Sequence, residues 1–246
     1  MSTGLELTAQ SITTDKPIAG DWSFLAEPYL MFPAMDGTVG MRNLPDAPVD
    51  ASASDIFSSL KMGFMLNLEA YNDNWVIGSD LLYMHIGQDM ESGIFIESGE
   101  ITAKQLGWEL YGLYRVRPWL EFGLGGLVNS INTELKINRR ELGGGTIPVK
   151  ASKTETWFDP MLIGRIKNRE GQKFLYQFRA EIGGFGIGSD LAWEIQAYAG
   201  YRFSDLFQMT GGYRVIGLDF ETGSGSDRFM YDVDTSGPVI RLGFNF

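Results

Sequence analysis

The chain has no cysteine and a single histidine, His85. Without cysteine there is no disulfide framework and no thiolate chemistry, and one histidine builds no His/Cys metal cluster. An unbroken apolar run of about 18 residues is also missing, which excludes a membrane-spanning helix although 44% of residues are hydrophobic. Basic residues are scarce: 20 Lys and Arg stand against 31 Asp and Glu, for a net charge of −11. That balance argues against a nucleic-acid-binding surface, which must be basic. Met1-Ser2-Thr3-Gly4 has neither the charged nor the apolar region of a signal peptide. If exported, the chain is expected to be a mature form without its leader.

What is abundant is glycine, at 31 residues, and aromatic side chains, at 13%, together with a strict alternation of period two. The alternation is clearest at the end. Phe246, Phe244, Leu242, Ile240 and Pro238 form one face, while Asn245, Gly243 and Arg241 form the other. Period two is a strand with two unlike faces. A terminal strand of this kind resembles the one that the assembly machinery of the bacterial outer membrane recognises, and Phe246, Phe244, Leu242 and Ile240 are the expected assembly signal.

The same alternation recurs over residues 22–32, 60–71, 75–83, 105–115, 120–129, 152–166, 174–183, 191–203 and 207–215. The expectation is an all-β fold of about ten strands, eight or twelve also fitting: a transmembrane, antiparallel up-and-down barrel. It occupies residues 21–246, after an N-terminal periplasmic tail over 1–20. Connections near 72, 117, 168–171 (Asn168-Arg169-Glu170-Gly171) and 204 are short. Those at 33–59, 87–99, 138–148 (with Gly143-Gly144-Gly145) and 222–227 are longer, and 186–190 is modest. Short periplasmic turns and longer outer loops characterise outer-membrane barrels, and the parity places both termini in the periplasm. Asp55–Leu60 is expected to make one helical turn within the longest connection.

The apolar face is assigned outward because the other face carries so much charge. The expected lumen-lining residues are Glu27, Lys61, Glu69, Asp80, Glu109, Arg115, Glu121, Asp159, Arg165, Arg179, Glu181, Glu194, Arg202, Arg214 and Arg241. Aromatic rings collect at the short-turn ends of strands, among them Trp22, Trp75, Tyr114, Trp119, Phe174, Tyr201, Phe203 and Phe207. Such a girdle suits a membrane interface. Inward-facing charges lie two positions from a glycine, as in Gly78/Asp80 and Glu181/Gly183, leaving room for long side chains to cross a narrow lumen. Pro28, Pro160 and Pro238 fall inside expected strands and predict bulges or local strand ends.

Three segments together resemble a family of proteobacterial outer-membrane barrels of roughly 250 residues. They are Gly183-Gly184-Phe185-Gly186-Ile187-Gly188-Ser189-Asp190-Leu191-Ala192-Trp193-Glu194, Pro28-Tyr29-Leu30 with Asp36-Gly37-Thr38-Val39-Gly40, and Tyr231-Asp232-Val233 with Ser236-Gly237-Pro238. The resemblance spans most of 20–246 and implies a fold and a location in the outer membrane. It implies no catalytic residues.

The residues offer little chemistry. His85 shares an outward face with Tyr83 and Leu81, where a lipid hydrolase would need it, but no serine lies two residues away on that face. Glu109 and Glu121 sit on strands joined by a tight turn; nearby arginines favour ion pairing over acid–base work. Outer connections are acidic (Asp36, Asp46, Asp50, Asp55, Asp89, Glu91, Glu97, Glu100, Glu221 and Asp227), which fits solvated loops first and weak Ca²⁺ or cation binding second. No cofactor, no metal and no enzyme activity is expected. The leading expectation is a narrow passive channel for small polar solutes or ions. The alternative is a plugged structural or adhesive barrel binding a partner through its loops or N-terminal tail, with a lipid-modifying enzyme behind both. The expected partners are outer-membrane lipids and the assembly machinery.

Overall fold

A computed structural model describes residues 22–43, 45–90, 96–140, 145–168 and 171–246. Expectations for the tail over 1–20 and for Glu91, Gly143, Gly144, Arg169 and Glu170 lie outside these residues, as does the Glu97 side chain. In chain order the strands are β1 (Ser23–Met31), β2 (Ala34–Met41) and β3 (Ala47–Ala51), then β4 (Leu60–Tyr71) after the helix α1 (Ala53–Ser59). There follow β5 (Trp75–Met90), β6 (Ile96–Arg117), β7 (Leu120–Arg140), β8 (Thr146–Lys167), β9 (Phe174–Gly184), β10 (Leu191–Arg202), β11 (Phe207–Thr222) and β12 (Phe229–Asn245).

All neighbours are antiparallel, and β1 pairs with β4 on one edge and β12 on the other, Ala26 opposite Leu68 and Phe244. That double pairing closes a ten-strand barrel from β1 and β4 through β12. Closure is obligatory for strands in lipid, where each unpaired amide costs several kcal/mol. The wall is apolar outward. Trp108 and Phe122 are 41% and 53% exposed, whereas Glu109 and Arg179, on the opposite faces of their strands, are 4% and 3% exposed. Leaving this much large apolar surface in water would forfeit the main stabilising force of folding, so the exterior is built for hydrocarbon. No described helix is long and apolar enough to cross a membrane; the strands do so.

Both described ends meet at the short-turn mouth, where Phe24 and Phe246 exchange backbone hydrogen bonds of 3.0 and 2.8 Å. The aromatic girdle is there: Trp75 meets Tyr114 edge-on at 5.1 Å, and Phe203 lies 5.4 Å from Tyr201 and 5.6 Å from Phe207.

The outer end departs from expectation. Residues 33–59 are not a plain connection. β2 continues the line of β1 along β12, β3 folds back on β2, and α1 leads into β4. α1 starts on a capping box in which the Ser52 hydroxyl accepts from the Asp55 amide and the Asp55 carboxylate accepts from the Ser52 amide. Within the polar stretches 87–99 and 138–148, residues 87–90, 96–99, 138–140 and 146–148 belong to strands as well, since β5 to β8 run far beyond the apolar band. Their outward side chains are knitted by Ser130–Thr156 at 2.8 Å and Asn132–Thr154 at 2.7 Å. The expected bulges or strand ends at the prolines do not occur, since all three strands run through them; each proline marks instead where the ladder to one neighbour stops or changes. Pro28 is the last β1 residue paired with β4, Pro160 precedes the first β8 residue paired with β9, and Pro238 sits where β12 changes partner from β1 to β2.

Candidate functional site

Inward parity brings charged residues from nearly every strand into one layer. Glu27, Glu69, Asp80, Glu109, Glu121, Asp159, Arg165, Arg179, Glu181, Glu194, Arg214 and Arg241 are all buried inside the barrel. Arg115 and Arg202 are half-buried near the short-turn mouth. Lys61 lies apart, exposed at a bulge in β4 and paired with Glu100 of β6. The bulge inserts one residue at Lys61 and takes it out of the strict alternation that predicted its direction.

The pairs cross the lumen. Arg165 on β8 meets Glu69 on β4, on the far side of the barrel, and donates from Nε to Glu121 of β7 at 2.6 Å. Arg115 and Lys167 add to Glu121 at 3.1 and 3.4 Å. Arg214 on β11 reaches Asp80 on β5 at 3.0 Å and Glu194 on β10 at 2.8 Å. Arg179 of β9 donates to Glu109 of β6 at 2.6 Å and also pairs with Glu181. Arg241 lies 3.5 Å from Glu27 and donates to the Gln196 carbonyl and the Tyr198 hydroxyl at 3.0 Å.

Tyrosines that alternation put inward, though not among the expected lining residues, complete the layer. Tyr29 donates to Asp80 at 2.8 Å and Tyr111 to Glu69 at 2.7 Å, while the Arg179 guanidinium stacks over Tyr111 at 4.0 Å. Buried charges persist only when paired and hydrogen-bonded, and here nearly every acid has an arginine. Small residues make the crossing possible. A Cβ on Gly78 would stand 2.2 Å from the Tyr111 ring, and one on Gly125 would stand 2.7 Å from the Glu109 carboxylate.

Outward of this ionic layer the interior turns apolar. Trp157 stacks on Phe220 at 4.1 Å with the rings 5° from parallel, and Phe229 and Tyr231 pack around them. The Trp157 indole donates to Asp159 at 3.0 Å and to the Ser189 hydroxyl at 2.9 Å. Ser189 in turn donates to Asp159 from its amide at 2.6 Å and its hydroxyl at 2.9 Å. The glycine-rich segment 183–194 is thus a tight outer turn pinned to β8. Gly184 and Gly186 take φ of 84° and 73°, and a Cβ on Gly188 would meet the Phe158 carbonyl at 2.3 Å. A cavity of about 40 Å³ lies between the two layers, room for a few waters. A recess at the short-turn mouth, lined by Glu27, Tyr71, Lys167 and Arg202 among others, measures about 90 Å³.

At the outer rim Arg228 ties the β2–β3 turn to β11, donating to Asp46 at 2.5 Å and to Glu221 at 2.6 Å. Its hydrogen bonds hold the Asp46 carboxyl below the usual range, and the Ser52 hydroxyl and amide do the same for Asp55. His85 lies on the outer surface, in register with Met62 and Lys104. Asp36 stands opposite both Asp50 and Asp234, yet among the described residues no group of His, Cys, Asp or Glu is arranged to hold a metal ion.

Neither a protein-family model nor a curated protein sequence matches the chain. Among solved structures it is similar to the attachment invasion locus protein Ail of Yersinia pestis in complex with the heparin analogue sucrose octasulfate, at 12% identity over 92% of this chain and 98% of that one, TM-score 0.35. It is similar to the Pseudomonas putida toluene transporter TodX at 8% identity over 92% and 90%, TM-score 0.39. It is also similar to the Escherichia coli outer membrane protease OmpT at 8% identity over 92% and 96%, TM-score 0.44. At these scores the likenesses carry neither ligand nor activity over to this chain.

Proposed function

We propose that this chain is an integral outer-membrane barrel with a closed interior, acting through what it displays beyond the membrane. The observation that supports this reading is the set of ion pairs reaching from one wall to the other, Arg165 to Glu69 and Arg214 to Asp80. The displayed surface is the projecting sheet of β5 to β8, which binds a partner by its rim. Folded protein in planar bilayers is expected to be electrically silent, and discrete conductance steps would overturn the closed reading. Replacing residues 137–149 by a two-residue turn is expected to remove partner binding and leave the barrel folded. The wider segment 33–59 does not suit that test, because it supplies part of the wall.

A second reading, a narrow passive channel for small polar solutes or ions, draws on the recess at the short-turn mouth and the cavity beyond the ionic layer. It requires the crossing pairs to part, and the same bilayer recording decides it. In both readings the protein is not an enzyme. A lipid-directed activity would depend on His85, so His85→Ala with unchanged membrane lipids would dismiss it. Phe246, Phe244, Leu242 and Ile240 serve as the assembly signal, and lipids of the outer membrane contact the apolar band. Both termini belong on the periplasmic side.

A further inference from the structure

Between β1 and β4 the wall of the barrel loses its hydrogen bonding part of the way along. β1 pairs with β4 only as far as Pro28 opposite Leu66. Beyond that point β1 and β2 stay with β12, while the upper part of β4 stays with β5. No ladder joins β3 to β4 among the described residues. The seam is bridged instead by α1, seven residues long and packed on β2, β3 and β5. Ile56 is 3% exposed there, and Phe57 stacks on Phe32 at 5.0 Å.

The backbone at the seam shows the break directly. The buried Met31 amide, in place of a carbonyl on a neighbouring strand, finds the Met65 thioether at 3.4 Å. A thioether is a weak acceptor, so this amide gains little from its partner. A hollow lined by Met31, Ile56, Phe57, Leu60, Met65 and Met84 follows the seam. Met31, Pro33, Met65 and Met84 also line the interior cavity, so seam and cavity share a wall. The outer lip of the seam, Leu30 and Phe64, is exposed and continuous with the lipid-facing band. Methionine walls are unbranched and adapt to slim apolar guests.

We propose that this seam is a lateral slot for hydrocarbon: the end of a lipid acyl chain enters between α1 and β4 and reaches the methionines inside the wall. It rests on the reading that the exterior faces lipid. The occupant follows from continuity, because the mouth opens onto a surface already covered by acyl chains, and the lining of the seam is apolar but for Tyr29, whose hydroxyl is already engaged by Asp80 and Arg214. Both hollows are small, about 40 Å³ each, so the slot admits a chain end and stops at the ionic floor of Asp80, Glu109 and Arg214.

The test uses the whole protein with its methionines partly replaced by a diazirine analogue, refolded into dilauroylphosphatidylcholine vesicles, irradiated and mapped by peptide mass spectrometry. Lipid adducts are expected at exposed Met62 and Met209, equally at Met31, Met65 and Met84, and not at buried Met161 on β8. Gly63→Leu fills the seam, since a Cβ there has only contacts of 3.7 Å or more. That variant is expected to lose the adducts at Met31 and Met65 and keep those at Met62. Adducts at Met62 and Met209 alone, or water adducts alone at the three seam methionines, would overturn the slot. An absence of lipid adducts at Met62 and Met209 would instead overturn the lipid-facing exterior on which it rests.

Discussion

The inner half of the lumen and its outer half are both filled, by opposite means. Near the short turns the filling is arginine, carboxylate and tyrosine, with Arg165, Glu121 and Gln196 almost wholly buried. Towards the outside it is Trp157, Phe220, Phe229 and Tyr231, with one polar anchor at Asp159. The ionic layer is specific and brittle. Each charge is tolerable only while its partner stands, so loss of one member exposes the desolvation cost of the rest. The aromatic layer is held by area and dispersion and degrades in proportion to what is removed. A barrel of this width can be closed by either means, and using both keeps each crossing short.

The widest predicted difference comes from removing the hub of the ionic layer. Arg165→Met takes the arginine from Glu69 and leaves Glu121 to Arg115 and Lys167 alone, and about 3–5 kcal/mol of stability should be lost. A urea titration of vesicle-refolded protein, read by heat-modifiable gel mobility, measures it. Adding Glu69→Gln to the same chain should recover most of the loss, because Glu121 keeps Arg115 and Lys167. If Arg165→Met alone is neutral, the layer is solvated and the contrast with the aromatic half collapses. Next in size is Gly78→Ala. It should cost about 1–3 kcal/mol by pushing Tyr111 off Glu69 and Arg179. An unchanged urea midpoint would mean that the ionic layer has slack that the geometry does not show.

How far the sequence alone reached follows the same division. Within the apolar band each strand has one wet and one greasy face, and period two put Arg179, Glu109 and their neighbours inside and Phe122 and Trp108 outside. Trp157 was within reach of the same parity, since it shares its face with Asp159 and Arg165; the expectation of a charged lumen hid an inward aromatic. Past the band both faces of β7 and β8 meet water, alternation loses its cause, and residues 138–148 read as loop although 138–140 pair with 146–148. β2 and β3 were hidden by the turn-forming residues Asp36-Gly37, Pro45 and Pro48, of which Asp36, Gly37 and Pro48 lie in paired strand, whereas the helical turn expected at Asp55–Leu60 falls largely within α1. Which acid meets which arginine is a matter of barrel stagger, and no local pattern encodes it.

The aromatic half gives a smaller response. Trp157→Phe keeps the stack on Phe220 and removes the indole donor to Asp159 and Ser189. Asp159 retains the Ser189 amide and hydroxyl, so the loss should be about 0.5–1.5 kcal/mol. The same urea titration checks it, and a loss as large as that of Arg165→Met would show that this layer too depends on its polar anchor.

The smallest effect lies at the rim, where neither layer contributes. Arg228 holds Asp46 in its charged form, so the folded carboxyl is more acidic than the unfolded one. Its stabilising contribution is therefore complete above the ordinary carboxylate range and disappears as pH falls through the depressed folded value. Screening by water keeps the pair weak. Amide exchange in β2 and β3, corrected for its intrinsic pH dependence, should stay level from neutral pH to the ordinary Asp range and rise only below it. Asp46→Asn should show the faster exchange above the depressed Asp46 range and match the unsubstituted protein below it, with β9 and β10 unaffected in both proteins. Loosening of β9 and β10 together with β2 would mean that the rim and the lumen unfold as one unit, and the division into separately held regions would not survive.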